Sequence, residues 1–258
     1  MDWKIESEMF NRMVGYYDKY RPGYPQDIVD AIINKASLAP GSKLLEIGAG
    51  SGKATAQFAD YGFEILCVEP GPELADKGRE RFKDKNIKFV VSRFEDCSAL
   101  RNDYDAIISA QAFHWLPQPE GYEKCAAALK DGGYLAPFWN IEIIHETEFD
   151  SELVEIMQNH KAFTSAVPET DYAKRMETIS NGLSGSGYFQ EPEMIHSHWD
   201  KDYTADGYFG FVSTGNVFVQ NPDAVKQACF IALTKLADKY GGIIRRHYIC
   251  ELYLAKKR

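Results

Sequence analysis

Leu44-Leu45-Glu46-Ile47-Gly48-Ala49-Gly50-Ser51-Gly52-Lys53 is an apolar run that ends in three glycines at alternate positions. Lys43–Ile47 reads as a short buried strand and Ala54–Ala59 as a helix, so the glycines occupy a strand-to-helix turn. Glycine there lets the backbone turn tightly and lets a ligand press against the main chain. In an open α/β sheet this is where a nucleotide sits, at the carboxyl end of a parallel strand. Outward from the turn the pattern alternates. Ile28, Val29, Ile32 and Ile33, after Asp27, share one helix face, Phe63–Val68 is a second apolar strand, and Pro72–Phe82 is a charged helix opened by proline. Ile87–Val91, Tyr104–Ser109 and Gly133–Trp139 are further strands, the last preceded by a helix over Tyr122–Leu129. Strands alternating with helices imply right-handed crossovers and a doubly wound, mostly parallel sheet.

Three glycine-rich motifs compete for the turn. A phosphate-binding P-loop needs GxxxxGK followed by Ser or Thr; here Ile47 stands where the first glycine belongs and Ala54 follows Lys53. The dinucleotide fingerprint GxGxxG fits Gly48 and Gly50, but Lys53 takes the place of its third glycine. The next strand adds an acid: Glu69 lies nineteen residues after Gly50, placed to accept hydrogen bonds from two ribose hydroxyls. After the third strand, Phe94-Glu95-Asp96 offers an aromatic face for an adenine ring and an acceptor for its amino group. A helix-start charge and a plain core phenylalanine are the competing readings of Glu69 and Phe94.

Beyond Asn140 the rhythm changes. Ser151 to about Ile179 is mostly helical with Pro168 interrupting it, and 181–187 reads as a flexible Gly/Ser loop. Met194–Trp199 is a strand, Asn221-Pro222 caps and opens a helix that Gly241 ends, and 247–255 is a final strand. The readings of the termini are a tyrosine-rich segment with Tyr16, Tyr17, Tyr20, Tyr24 and Arg21, and a solvated Lys256-Lys257-Arg258 tail.

In this order the motifs resemble the class I S-adenosylmethionine-dependent methyltransferases. Leu44–Thr55 resembles their first motif, Glu69 their ribose acid and Phe94-Glu95-Asp96 their adenine segment. Tyr104–Ser109 resembles their fourth strand and Leu129–Leu135 their turn into the fifth. Tyr20–Pro25 and Gln111-Ala112-Phe113-His114-Trp115 are similar to the methyltransferase type 11 and trans-aconitate methyltransferase-like group. The resemblance covers residues 20–140. It implies a seven-stranded Rossmann-like sheet whose seventh strand is antiparallel and inserted beside the fifth, with a helical cap. The chain then divides into a lid (1–25), a cofactor-binding core (26–140), a cap (141–192) and a part completing the sheet (193–258).

The implied cofactor is S-adenosylmethionine, leaving as S-adenosylhomocysteine. Gly48, Ala49, Gly50, Ser51 and Gly52 would approach its methionine part, and Glu46 would fix the amino group or the turn. Glu69 and Pro70 would hold the ribose, Phe94 and Glu95 the adenine, and Gln111 the region near the sulfonium. Arg21 would meet a carboxylate. His114 is the candidate general base, its competing reading a structural histidine beside Trp115. Tyr16, Tyr20 and Trp115 are candidate contacts to the acceptor.

Composition sets limits. With 29 Lys plus Arg against 38 Asp plus Glu the net charge is −9, the wrong sign for nonspecific nucleic-acid binding. Five scattered cysteines with no CxxC pair argue against a disulfide framework or structural zinc and fit a reducing compartment. His196 and His198 share a strand face without a third ligand, so no metal is expected. No stretch has the character of a signal sequence or the length of a membrane span. The expectation is a cytoplasmic enzyme, monomer or homodimer, that methylates a small molecule. The alternatives are a cofactor-binding protein without turnover and a nicotinamide-dependent oxidoreductase.

Overall fold

The computed structural model describes residues 19–97, 100, 102–162, 167–168, 177 and 179–258. Tyr16, Tyr17 and most of the expected lid lie outside them. In α1 (Gln26–Lys35) the buried residues are Ile28, Val29 and Ile32, the face the spacing indicates. Then come β1 (Lys43–Ile47), α2 (Thr55–Phe58), β2 (Glu64–Glu69), α3 (Pro72–Arg81), β3 (Ile87–Val91), β4 (Tyr104–Ala110), α4 (Glu120–Ala128) and β5 (Leu129–Ile144). The remaining elements are α5 (Glu148–Asn159), β6 (Val167–Pro168), β7 (Glu193–Tyr203), α6 (Ala205–Val212), α7 (Asn216–Val219), α8 (Asp223–Lys239) and β8 (Ile244–Lys256).

Seven strands follow one another in the order β3-β2-β1-β4-β5-β8-β7, with β6 paired to β5 off that path. The pairs β1·β2, β2·β3, β1·β4 and β4·β5 are parallel. The last strand of the chain is inserted beside the fifth, as the resemblance implies. Strand order reverses between β1 and β4, so the crevice at their carboxyl ends is the topological switch point where ligands bind in such sheets.

The chain forms two compact units. One comprises 23–140, 173–197 and 250–258, the other 1–22, 141–172 and 198–249. The first is built on fully buried Leu44, Leu45, Phe58, Ile107, Leu135 and Phe138, each contributing roughly 1.5–3 kcal/mol by leaving water. In the second, Leu153, Tyr208, Phe218, Leu233, Leu236 and Tyr248 form the apolar cluster.

Several expectations need correction. Pro168 interrupts no helix: Val167–Pro168 is a short strand parallel to Ile143–Ile144. Residues 179–185 are helical and not a loop, because Leu183 is fully buried there and Gly182 lets the helix close on the Tyr122 hydroxyl, 2.7 Å from where a Cβ would stand. Asn221 does not cap α8; its Nδ2 donates to His160 O at 2.9 Å. The Lys256-Lys257-Arg258 tail is not simply solvated. Lys257 N donates to Gly133 O, its Nζ to Leu129 O at 2.8 Å, and Arg258 N to Tyr188 O at 3.0 Å. Strands β5 and β8 outrun their sequence readings because Asn140, Glu142 and Arg246 inside them are buried, and β7 runs on to Tyr203 past exposed Asp200 and Asp202.

Candidate functional site

The glycine turn leaves β1 with Gly48, Gly50 and Gly52 all in the left-handed region, at φ 68°, 58° and 80°. Each glycine answers a different need. A Cβ on Gly48 would stand 2.4 Å from the Ala112 Cβ, so Gly48 lets the β1 and β4 loops touch. A Cβ on Gly52 would stand 2.4 Å from the Phe82 ring, so Gly52 serves helix packing. A Cβ on Gly50 would meet no described atom within 4 Å.

The N–H groups of this loop are spent inside the protein. Gly48 and Ala49 donate to Val68 O (2.8 and 3.3 Å), and Gly52 donates to Ala49 O (2.9 Å). Gly50 donates to Glu69 Oε2 (2.8 Å). A phosphate cradle works by pointing such groups at the anion. This turn has four of its N–H groups committed elsewhere.

Glu69 closes β2 at 7% exposure. Its Oε2 takes the Gly50 N–H and its Oε1 the Gly71 N–H, both at 2.8 Å. Burial raises its pKa, opposed by those two backbone bonds. A carboxylate oxygen has a second lone pair, so bracing the turn and accepting from hydroxyls are compatible. Glu46 lies deeper, where burial lifts its pKa to about 8, and Thr55 Oγ1 donates to its Oε2 at 2.5 Å. Glu46 thereby ties β1 to the start of α2. Ser51 is buried and Pro70 half-buried beside the loop.

After β3, Phe94 is 3% exposed and the Lys124 ammonium lies 5.3 Å from its ring centroid. Glu95 is ion-paired with Arg93, and its carbonyl accepts from Lys124 Nζ at 2.6 Å. Phe94 is thus a core residue that fixes the turn carrying Glu95.

After β4, Gln111 is held at φ 59°, a conformation costly for any side chain but glycine. Its N–H bonds Phe138 O at 2.9 Å and its Nε2 bonds Asn140 O at 2.8 Å. His114 is exposed, and its Nδ1 accepts from Trp139 Nε1 at 3.2 Å. Indole N–H can only donate, so the neutral imidazole carries its proton on Nε2. Trp115 is 50% exposed, its ring centroid 4.8 Å from that of His114.

All of these residues belong to the unit containing 23–140. Tyr20 and Arg21 belong to the other. Arg21 Nε donates to Thr214 Oγ1 at 2.8 Å with its guanidinium 5.5 Å from the Phe211 centroid, and Tyr20 OH donates to Asp206. Sequence reasoning missed Asn140, whose Nδ2 donates to Gly23 O at 2.8 Å. The available signal was a polar residue inside the apolar run 136–144, since a buried polar group is the informative exception. Among the described residues no group of three His, Cys, Asp or Glu could hold a metal ion, and no helix is long and apolar enough to cross a membrane.

Residues 45–136 match a family described as a methyltransferase domain. An uncharacterized methyltransferase of Mycobacterium bovis is 30% identical over 131 residues, 51% of each chain. The chain therefore spans about half the length of the curated relatives it matches first. A solved structure from Anaeromyxobacter dehalogenans described as a type II methyltransferase superposes with a TM-score of 0.65 at 18% identity, covering 91% of this chain and 97% of that one. A Haemonchus contortus phosphoethanolamine N-methyltransferase, solved with S-adenosylhomocysteine, gives 0.56 at 14% identity, covering 98% and 60%. At these identities the two structures speak to the fold.

Proposed function

We propose that this chain, whose residues 45–136 are a class I methyltransferase domain, moves a methyl group from S-adenosylmethionine to a small-molecule acceptor. One observation carries the choice of cofactor. The glycine loop spends its N–H groups internally while leaving the Gly50 face open beside Glu69. That suits an adenosyl ligand without phosphates and works against NAD or ATP, whose phosphates need those donors. The residues fit such a ligand. Gly48–Gly52 would flank the methionine part, Glu69 and Pro70 the ribose, the Phe94-Glu95 turn the adenine, and Gln111 the sulfonium end.

When bound, S-adenosylmethionine supplies a methyl carbon on a positively charged sulfur, open to in-line displacement by a lone pair of the acceptor. The protein's own part is orientation, which supplies up to roughly 7–11 kcal/mol in favourable cases. The Trp139 N–H occupies His114 Nδ1, so we assign His114 to hold the acceptor and not to deprotonate it. Trp115, half exposed beside His114, gives the acceptor an apolar platform. The acidic balance favours a small molecule over nucleic acid, and five free cysteines suit the cytoplasm.

Thermal shift with S-adenosylmethionine, S-adenosylhomocysteine, NADH and ATP tests this reading. Saturation at about 100 times the dissociation constant adds about 2.7 kcal/mol, a rise of roughly 5–10 °C for this size. The rise is expected with the two adenosyl-sulfur ligands and absent with NADH and ATP. A rise with NADH alone would replace the reading with a nicotinamide enzyme. Ligand binding without methyl consumption across a broad acceptor panel would replace it with a non-catalytic binder.

A further inference from the structure

Asn140 is 5% exposed on β5 and makes two bonds that fix its environment. Its backbone carbonyl accepts from Gln111 Nε2, and its Nδ2 donates to Gly23 O, each at 2.8 Å. The second bond settles the orientation of the amide, because the reverse arrangement would set oxygen against oxygen. Oδ1 is then buried with no hydrogen-bond partner among the described residues. A buried acceptor left without a partner is costly. A side chain kept only to hold Gly23 has no reason to carry that penalty.

The surroundings indicate what the missing partner is. Gln111 leads directly into Ala112, which packs on the glycine turn at Gly48, so two residues separate the Asn140 carbonyl from that turn. Across the sheet order, β2 with Glu69 carries the ribose acid and β1 the glycine turn, while β4 and β5 follow on the far side. A ligand spanning from Glu69 across the β1 turn would reach the side of the sheet where β4 and β5 carry Gln111 and Asn140. Of the two buried acids, Glu69 braces the turn and Glu46 is tied to Thr55 with its pKa lifted to about 8. A positive charge at this end would meet carbonyl-type oxygens and no carboxylate free of other partners.

We infer that Asn140 Oδ1 accepts a hydrogen bond from the α-ammonium group of the cofactor's methionine part, so that Asn140 is a further binding residue of this site. The inference rests on the adenosyl-sulfur reading above. It adds a residue that no glycine or acid motif marks, and it gives Asn140 two separable jobs. Its nitrogen holds Gly23, and its oxygen reads the ligand.

Isothermal titration of the full chain separates them, using S-adenosylhomocysteine and its deaminated analogue 5′-S-(3-carboxypropyl)-5′-thioadenosine, which keeps the carboxylate and lacks only the ammonium. Wild type should prefer S-adenosylhomocysteine by about tenfold or more. Asn140→Ala should erase most of that ratio while leaving the analogue's affinity within about twofold, and near-isosteric Asn140→Leu should do the same if the alanine variant fails to fold. Asn140→Asp loses the donor to Gly23 but keeps the acceptor, so it should preserve the ratio. Equal weakening of both ligands in the alanine or leucine variant, no change at all, or loss of the ratio in Asn140→Asp would each overturn the inference. Failure of wild type to bind either ligand would overturn the cofactor reading itself.

Discussion

A methyl group added to Gly50 and one added to Gly48 should do different damage. Both positions are left-handed, which costs an alanine about 1–2 kcal/mol. Gly48→Ala also drives its Cβ into Ala112, adding about 1–3 kcal/mol of overpacking. Gly50→Ala meets no described atom, so its penalty should fall on the ligand: S-adenosylhomocysteine affinity down roughly tenfold or more, with thermal stability lowered less than in Gly48→Ala. Calorimetry and a melting curve on each variant check this. Glu46 makes a second expectation. Burial lifts its folded pKa from 4.5 to about 8, so the native state holds a proton that the unfolded chain releases. Stability from this group is full below about pH 4.5 and is lost as pH rises toward 8, at about 1.4 kcal/mol per pH unit. In Glu46→Gln that slope should vanish, and urea unfolding at pH 5, 6, 7 and 8 reads the difference. Glu69 could be read from the sequence because its distance from Gly50 has a chemical meaning. Asn140 was marked only as a polar residue inside an apolar run, and its partner Gly23, 117 residues away, is beyond any local pattern.

Elements were readable in proportion to how cleanly their interiors were apolar. Ile87–Val91 needed no revision, and α1 and α3 were each found within a residue or two. By contrast β5 runs on from Trp139 through Asn140 and Glu142 to Ile144. Glu142 looks like a solvent residue that ends a strand, yet it is 1% exposed. What lets it in is Arg246, from β8, whose Nε bonds Glu142 Oε1 at 2.5 Å and whose other arm pairs with Asp150 of α5. Tyr208 of α6 completes the group by donating to Glu142 Oε1 at 2.8 Å. The guanidinium joins three elements and Glu142 ties in a fourth, and no local pattern reveals it. Removing that cation should be severe: Arg246→Met leaves two buried carboxylates uncompensated, an expected loss of about 3–5 kcal/mol by urea unfolding. Adding Glu142→Gln and Asp150→Asn removes the stranded charges and should recover part of the loss. No recovery would mean that Arg246 acts chiefly through packing.

At the scale of the whole molecule, the alternation of strands and helices up to Asn140 was sufficient to give the doubly wound sheet, because right-handed crossovers leave few topologies open. The second unit was opaque for the converse reason. Its core mixes tyrosines with a buried ion network, and its strands are shared with the first unit along the chain. The site followed the same division. The glycine turn and Glu69 came from motifs, whereas the internal use of the loop's N–H groups, on which the proposed phosphate-free ligand rests, exists only in three dimensions. The placement of β8 between β5 and β7 has a consequence in time. During synthesis β5 is finished at Ile144 and β8 does not begin until Ile244. At about 5–20 residues per second those roughly 100 residues take about 5–20 s on the ribosome. Throughout that interval β5 lacks its β8 neighbour, with the two-residue β6 reaching only Ile143–Ile144, and β7 emerges before the strand it will pair with. The protein therefore enters the cell with its longest strand waiting for its last one, a window in which a chaperone or a second nascent chain competes for the same hydrogen bonds.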